Sequence, residues 1–452
     1  MTGRHLTGWI GILPALALAL TAAPAAAQGA AQGDTRALTQ AYNLSGQDLF
    51  RALAATPGNV VISPLSIGTA MAMVLAGARG DTEAEMRQVL RHTLEGTSIG
   101  DANAQALAAL MAAGAPSCPD GFKLDGRLCQ APAPKGEGQP CPHDANRDGA
   151  LCVTDARDPK AALRIANALM LVNPSATVAD AFREAIRTKF AAETFPGADL
   201  ATVNDWVKEK TAGKIPTILD KLSPNDSHVL LNAVYFNAPW AHAFAKNATR
   251  DRDFHLTATE KVEVPTMLQS AAFAIEKGDG FQAIRLPYAQ DGLSMIVLRP
   301  DDIDGLDKVI ASFDAAKLDA LMEGLRAAQA RSVVLSLPKF RFEFSAELIS
   351  PFKALGMSKV FDPAQSDLSG LTGLPRDKAQ STIDQIAHRA VIEVAEEGTE
   401  AAAATAVVVT TRTMAPSQQQ ERFTIDRPFM FLIADDKTGA VLFVGRVSDP
   451  RT

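Results

Sequence analysis

After Leu20 the chain lacks any long uncharged apolar run, because Asp, Glu, Lys or Arg interrupts each later hydrophobic stretch. A transmembrane helix needs about 20 predominantly apolar residues, so we expect no membrane partner for the mature protein. Basic residues are also in deficit, since 44 Lys and Arg against 51 Asp and Glu give a net charge of −7. That balance argues against nucleic acid or an anionic membrane surface as a partner.

The N-terminal apolar run, Trp9–Leu20, has a basic start before it and the small residues Ala25–Ala27 after it. This arrangement predicts a secretory signal peptide over residues 1–27, cut before Gln28. The run is too short to span a bilayer comfortably. We therefore expect a secreted or periplasmic protein that begins with a polar leader, residues 28–37.

Cysteines are few and lie in one stretch, residues 116–159, which is rich in Pro, Gly and Asp and lacks an apolar period. This composition predicts a small insertion in a larger domain. An even number of cysteines in an exported chain predicts two disulfides, with three pairings open. Their wide spacing does not fit a zinc site. The four residues are Cys118, Cys129, Cys141 and Cys152.

The insertion also contains the oxygen-bearing residues Asp144, Asn146, Asp148 and Asp155, at positions one, three, five and twelve of a calcium-loop pattern. Glycine stands at position six, but position twelve is Asp instead of the usual Glu, and no helical pattern flanks the loop. We therefore expect no cofactor, with calcium at this loop as the one candidate exception. A disulfide-bonded turn rich in Asp and Asn accounts for the same residues.

Helical patterns dominate the first half of the chain, where residues 38–92 are helical apart from an extended piece at 59–62. Ser63 can cap the helix that follows, and Pro64 suits its first turn. Further helices are predicted at 102–113, 176–191 and 200–220. Strands are predicted at 161–172, 229–236, 260–267, 281–286, 294–298, 331–344 and 390–394, with a hairpin at 429–444. Helices followed by strands, without repeated βαβ units, indicate an α+β fold.

One segment, residues 396–414, combines preferences that no single secondary structure satisfies. It runs from Glu-Glu-Gly through four consecutive alanines to Val-Val-Val-Thr-Thr. Alanine favours helix, whereas the β-branched residues 407–411 favour strand. Flexible glycine, then small side chains, then β-formers predict a loop that can become a strand.

Residues 396–405 resemble the hinge of the reactive-centre loop of the serpin family, almost residue for residue. Asn59–Met71 resembles the family's buried early helix and the strand before it. Leu231–Trp240 resembles a central strand that ends in tryptophan, and Thr424–Ile433 resembles the C-terminal signature. The resemblance covers residues 38–452 apart from the insertion, and it implies a single domain with helices around three β-sheets.

The resemblance implies that a protease cuts the exposed loop, whose N-terminal part then inserts as a new central strand while the protease stays bound as an acyl-enzyme. Side chains alternate along a strand, so every second residue from Thr399 enters the core. None of these residues is charged, and all are small or β-branched, which predicts an active inhibitor. They are Thr399, Ala401, Ala403, Thr405, Val407 and Val409.

The family's scissile bond lies at a fixed distance beyond the hinge, and the seventeenth residue counted from Glu396 is Arg412. We therefore expect cleavage at Arg412–Thr413 by a trypsin-like protease, whose specificity pocket ends in a carboxylate. The segment from Arg412 to Pro428 is longer than is common, which leaves Met414 as an alternative site. The hinge comprises Glu396, Glu397, Gly398, Thr399, Glu400, Ala401, Ala402, Ala403, Ala404 and Thr405.

Supporting residues follow from the resemblance individually. A buried polar cluster where the sheet opens is implied at Ser63, Ser66, Asn232 and His388, with Trp240 near the point of first insertion. Residues 101–117 contain no Lys or Arg, so we expect no activation by heparin. The expected partner is one serine protease, bound by a monomeric inhibitor.

Two other functions compete with inhibition. The first is a non-inhibitory binding protein on the same fold, which the small uncharged hinge residues disfavour. The second is a hydrolase, since Gly96–Gly100 matches the G-x-S-x-G motif around Ser98. That motif needs a preceding hydrophobic strand, whereas the end of a predicted helix precedes it. We therefore expect no enzyme activity.

Overall fold

The fold is described from a computed structural model. The structure describes residues 25–112, 122–125, 128–134, 141–142, 146–148, 151–155, 162–173, 176–197, 199–223, 226–378, 381–399 and 420–451. Within these ranges no helix is long and apolar enough to cross a membrane.

The helices and strands follow the α+β order that the sequence predicts. The helices are α1 (Ala25–Ala54), α2 (Pro64–Gly77), α3 (Gly80–Val89), α4 (Ser98–Ala112), α5 (Asp180–Lys189), α6 (Leu200–Lys210), α7 (Leu306–Ser312), α8 (Ala315–Ala327), α9 (Ile349–Ala354) and α10 (Ser369–Thr372). The first strands are β1 (Val60–Ile62), β2 (Lys123–Asp125), β3 (Leu128–Pro132), β4 (Asn146–Asp148), β5 (Leu151–Asp155), β6 (Ala162–Leu171), β7 (Ala192–Pro196), β8 (His228–Pro239), β9 (Arg250–His255) and β10 (Lys261–Gly278). The remaining strands are β11 (Phe281–Pro287), β12 (Leu293–Pro300), β13 (Arg331–Pro338), β14 (Phe340–Glu347), β15 (Ile383–Ala395), β16 (Gly398–Thr399), β17 (Glu421–Thr424), β18 (Phe429–Asp435) and β19 (Ala440–Val447).

Three sheets are formed by these strands. The largest has the order β1-β19-β18-β12-β11-β10-β13-β17, with β9 paired to β10. The second sheet, called the central sheet below, has the order β14-β15-β16-β8-β6-β7, and β15 also pairs with β8 directly. Because β1 pairs with β19, the N-terminal and C-terminal parts of the chain close the largest sheet together.

The main core lies between these two sheets and the helices α1 and α2. The predicted start of α2 is confirmed, since Ser63 caps it by accepting a hydrogen bond from the Ser66 amide at 3.1 Å, and Pro64 occupies the first turn. A second apolar cluster covers the opposite face of the central sheet, where Val203 and Val207 of α6 are fully buried. The central sheet is therefore buried on both faces where α6 crosses it.

The helix predicted over 200–220 ends earlier, at Lys210. Ala212 and Gly213 adopt positive φ angles of 54° and 79°, which terminate the helix, and the Gly213 amide donates to the Lys208 carbonyl at 2.7 Å. A glycine just after the last turn is a common helix stop. The prediction continued the helix to residue 220 because it gave no weight to this glycine.

The single strand predicted over 331–344 is wrong, because the chain divides there into β13 and β14, which belong to different sheets. Val333, Leu335 and Leu337 are fully buried, as the alternation predicted. Pro338 ends β13, since proline lacks the amide that a continuing ladder needs. The hairpin predicted at the C-terminus is confirmed by the antiparallel pairing of β18 with β19.

The cysteine-containing segment forms a four-stranded sheet, β2-β3-β5-β4, around its own small apolar cluster. Cys141 and Cys152 form a disulfide with an S–S distance of 1.96 Å. Cys129 is buried and is not a free thiol. Cys118 lies outside the described residues. Of the three pairings left open, the structure thus selects one that includes Cys141–Cys152.

The backbone of this sheet bears on the calcium prediction. Strands β4 and β5 form an antiparallel hairpin in which Asp148 is paired with Leu151, while Asp155 is paired with Leu128 of β3. Four residues along a strand span about 13 Å, so Asp155 is far from the hairpin turn. A ligand set that includes both Asp148 and Asp155 does not fit this register. Asp144 lies outside the described residues, and calcium binding stays a prediction.

Candidate functional site

The start of the predicted hinge lies inside the central sheet. Strand β16 contains Gly398 and Thr399 and is inserted between the C-terminal ends of β15 and β8. Thr399 pairs antiparallel with Val394 of β15 and antiparallel with Ala238 of β8. The chain therefore turns back at residues 396–397 and begins a new strand in the middle of the sheet.

Nearer their N-terminal ends, strands β15 and β8 pair directly with each other, and they run parallel. The direct pairing extends from His228 to Tyr235 of β8, opposite Ile383 to Val391 of β15. A longer β16 in the same register would have to separate this parallel pair once it reached Val391 and Tyr235. The junction between β15 and β8 is thus the place where the sheet can open.

Glycine at 398 is required by the close approach of β8. A Cβ atom at this position would lie 2.2 Å from the Ala238 carbonyl oxygen and 2.6 Å from Pro239 Cα. Such contacts with backbone atoms leave no room for a side chain. The glycine at the start of the hinge is therefore needed for steric reasons in addition to its flexibility.

The two glutamates before this glycine form hydrogen bonds and ion pairs with residues outside the central sheet. The Glu396 carboxylate accepts hydrogen bonds from Lys339 Nζ and Thr249 Oγ1, both at 2.8 Å. Burial alone would raise the pKa of Glu396, but these hydrogen bonds outweigh it and hold the pKa below its usual value. Glu397 forms an ion pair with Lys246 at 2.6 Å. The turn of the hinge is fixed by charge as well as by backbone.

Trp240 lies at this turn, as the resemblance implied. Its backbone amide donates to the Glu397 carbonyl and its indole Nε1 donates to the Ala395 carbonyl, both at 2.9 Å. The indole ring stacks on Tyr288, with ring centroids 4.6 Å apart and planes 7° from parallel. The Tyr288 hydroxyl is hydrogen-bonded to Thr399 Oγ1 at 2.6 Å.

The polar cluster implied at the junction is present, and it includes one residue that the sequence analysis missed. Asn232 Nδ2 donates to Ser66 Oγ and to Asn167 Oδ1, both at 2.6 Å. Asn232 Oδ1 lies 2.6 Å from His388 Nδ1. Together with Ser63, these side chains are at most 1% exposed. Asn167 could have been found as the one amide in an otherwise apolar run, since a buried polar side chain needs partners.

His388 and Asn232 are opposite each other in the register of β15 and β8, so their side-chain hydrogen bond crosses the junction. Burial lowers the pKa of His388 to about 3, which keeps the imidazole neutral at pH 7. Among the described residues, His388 Nε2 and Asn167 Nδ2 have no hydrogen-bond partner. Separation of the two strands would break the hydrogen bond between His388 and Asn232.

The rest of the predicted loop lies outside the described residues. This applies to Glu400, Ala401, Ala402, Ala403, Ala404 and Thr405 of the hinge and to Arg412 and Thr413 of the expected scissile bond. The chain re-enters the described part at Gln420, and β17 then pairs parallel with β13. Ser98 of the hydrolase-like motif begins α4 directly after a turn, so the strand that such a motif requires is not there.

Comparison with known proteins agrees with this architecture. Residues 40–450 match the family model Serpin, serine protease inhibitor. The chain is 33% identical to an uncharacterized serpin-like protein of Thermococcus kodakarensis over 92% of this chain and 86% of that protein. It is 32% identical to the human leukocyte elastase inhibitor over 91% of this chain and 99% of the inhibitor.

The solved structure of Serpin48 from the insect Tenebrio molitor has the same fold, with a TM-score of 0.71 and 25% sequence identity over 92% of this chain and 98% of that chain. The family match spans the inserted hinge, the junction between β15 and β8 and the C-terminal hairpin. The chain is therefore a member of the serpin family, with the serpin fold.

Proposed function

We propose that this protein is a suicide-substrate inhibitor of serine proteases, cleaved at Arg412–Thr413. The observation that carries the proposal is the position of β16, since Gly398 and Thr399 already occupy the start of the path that a cleaved loop would follow. A binding protein that never inserts its loop has no need of a strand that begins between β15 and β8.

The register of β16 gives the expected position of each following residue. Thr399 is fully buried, which sets the parity, so odd-numbered residues face the main core. Every neighbour that the odd residues would meet is at most 1% exposed. We expect Ala401 between Ile392 and Phe236, Ala403 between Ala390 and Val234, and Thr405 between His388 and Asn232.

Insertion is favourable in this arrangement because it replaces one parallel pairing by two antiparallel ones. Each inserted residue gains backbone partners on β15 and on β8, and a net gain of about 1 kcal/mol per hydrogen bond is typical. Burial of the odd side chains adds about 25 cal/mol per Å² of apolar surface. In the same register Ala402 would lie between Val391 and Tyr235, and Ala404 between Arg389 and Ala233. Arg389 is partly exposed and the other three are buried, so small side chains suit that face as well.

Arginine at 412 supports trypsin-like proteases as the targets. A guanidinium forms bidentate hydrogen bonds with a carboxylate, and the specificity pocket of trypsin ends in one. The nearest alternative, cleavage at Met414, would favour proteases with an apolar pocket. The choice between them is decided by the mass of the peptide released on cleavage.

The test is to mix the purified protein with trypsin and to analyse the products on a denaturing gel. We expect a covalent band at the summed mass of the inhibitor and trypsin. Arg412→Ala should lose this band, and Arg412→Lys should keep it. Complete cleavage with fully active trypsin would reject inhibition of this protease. The cleaved form should also unfold at a higher temperature than the intact protein, which separates an inserting serpin from a non-inhibitory one.

We also propose that the protein is exported after removal of residues 1–27. Among the side chains of α1 that the structure describes, from Gln32 onward, the first buried ones are Leu38 and Thr39. Cleavage before Gln28 would leave these two residues in place. N-terminal sequencing of the protein from the culture medium or the periplasm should give Gln28 as the first residue, whereas an intact N-terminus would reject cleavage.

A further inference from the structure

Tyr288 belongs to none of the sites assigned above, yet its hydroxyl contacts the inserted hinge. It follows β11, and it is held next to β8 by a backbone bridge to Trp240. The Ala241 amide donates to the Pro287 carbonyl at 2.9 Å, and the Ala289 amide donates to the Pro239 carbonyl at 2.8 Å. The backbone of Tyr288 is therefore fixed independently of the hinge.

The ring of Tyr288 is fixed as well. It stacks on the Trp240 indole and meets the Phe236 ring edge-on, with centroids 5.3 Å apart. The residue is 3% exposed. With both the backbone and the ring immobilised, the phenol hydroxyl has one fixed position, 2.6 Å from Thr399 Oγ1.

Thr399 is fully buried, and within the described part of the chain it is the partner of the Tyr288 hydroxyl. A buried hydroxyl that loses its partner destabilises the state in which it is buried. The two hydroxyls therefore stabilise each other only while residue 399 remains in the sheet. If the hinge withdrew, Thr399 would find water, but the Tyr288 hydroxyl would stay inside without that bond.

We propose that Tyr288 is a positioning residue of the reactive loop, which holds Thr399 in the sheet before cleavage and so limits the length of loop offered to a protease. The proposal rests on the inhibitory function proposed above. While the pair is intact, residues 400–419 form the connection to Gln420. When it is broken, Gly398 and Thr399 are added to this connection, while Glu396 and Glu397 stay bound to Lys339 and Lys246. A longer connection reaches a protease active site more easily.

Three hinge variants and one double variant test this pair. Tyr288→Phe leaves the buried Thr399 hydroxyl without a partner, which water would supply outside the sheet, so this variant should release Thr399 and raise the rate constant of association with trypsin about fivefold. Thr399→Val leaves the Tyr288 hydroxyl unpaired whether or not residue 399 is in the sheet, so its rate should stay within about twofold of the wild type. Thr399→Ser keeps a hydroxyl and should leave the rate unchanged. The double variant removes both hydroxyls, and replacing both partners by apolar groups is nearly neutral, so its rate should return to within about twofold of the wild type.

This return distinguishes a direct pair from a general structural role, since unrelated packing defects would add in the double variant. The number of inhibitor molecules consumed per protease should change little in any variant, because the path of insertion is intact. Equal rates in all four proteins, or additive effects in the double variant, would overturn the proposal.

A second measurement keeps the test independent of inhibition. In a Trp206→Phe background, Trp240 is the single tryptophan after residue 27. Its ring stacks on Tyr288, and its indole Nε1 donates to the carbonyl of Ala395, the residue before the hinge. Withdrawal of Thr399 should admit water beside the indole and shift its emission to longer wavelength in Tyr288→Phe but not in the double variant, which carries the same phenylalanine. If the wild type traps no protease, the function proposed above fails, yet this shift still decides the role of Tyr288. Identical spectra would reject it.

Discussion

Replacing Ala401 by arginine tests whether the cleaved loop enters the central sheet in the register that β16 begins. In that register residue 401 faces the main core between Ile392 and Phe236, which are 0% and 1% exposed. An arginine there brings an unpaired guanidinium into an apolar layer. Such a charge costs about 3–5 kcal/mol when no partner is available.

Insertion competes with hydrolysis of the acyl-enzyme, so slower insertion turns the inhibitor into a substrate. A barrier raised by about 3 kcal/mol slows insertion by a factor of about 150. We therefore expect Ala401→Arg to be cleaved on the order of a hundred times for each trypsin molecule that it traps. Titration of a fixed amount of trypsin, followed by measurement of the residual activity, gives this ratio directly.

The matched control is Glu400→Arg, which introduces the same side chain one residue earlier. In the proposed register residue 400 lies between Glu393 and Asn237, both partly exposed, on the opposite face of the sheet. Its guanidinium can stay in water beside the Glu393 carboxylate, so trapping should remain within about twofold of the wild type. Equal loss in the two variants, or full trapping by Ala401→Arg, would refute the register and with it the proposed path.

Three further predictions concern the supports of the site. Glu396→Gln should lower the free energy of unfolding in urea by about 1–3 kcal/mol, because a buried hydrogen-bonded charge is lost. Glu397→Gln is the control and should have almost no effect, because the partner of Glu397 is exposed. Equal effects of the two substitutions would contradict a stabilising role of the Glu396 carboxylate. The depressed pKa of His388 means that its neutral form is favoured in the folded state, so stability should fall as the pH drops below about 6.5, by roughly 1.4 kcal/mol per pH unit. His388→Gln should remove that part of the pH dependence. An unchanged pH profile would exclude His388 as its source. Reduction of Cys141–Cys152 should leave trypsin trapping unchanged, because this sheet has its own core, and a loss of trapping would show coupling to the hinge.

Much of the fold could be predicted because the chain marks its elements locally. The cap at Ser63, the alternation over 333–337 and the final hairpin depend on neighbouring residues, and all three are confirmed. The division of residues 331–344 also had a local signal that was overlooked. Apolar residues occupy odd positions up to Leu337 and even positions from Phe340, and such a change of parity requires a break in the strand.

The site was harder to predict from the sequence, because its contacts depend on the register between strands that are far apart in sequence. Asn167, Asn232 and His388 meet because β6, β8 and β15 align in the sheet, and no local pattern predicts that alignment. Tyr288 contacts Thr399 across 111 positions of the chain. Family resemblance supplied the positions of Asn232 and His388, but it did not lead to Asn167 or Tyr288.

The place of the C-terminal hairpin in the largest sheet affects the order of folding. Strand β18 lies between β12 and β19, and β19 separates it from β1 near the beginning of the chain. During synthesis the edge of β12 and the apolar side of α1 therefore remain uncovered until residues 429–447 have been made. A ribosome has to release almost the whole polypeptide before this sheet closes.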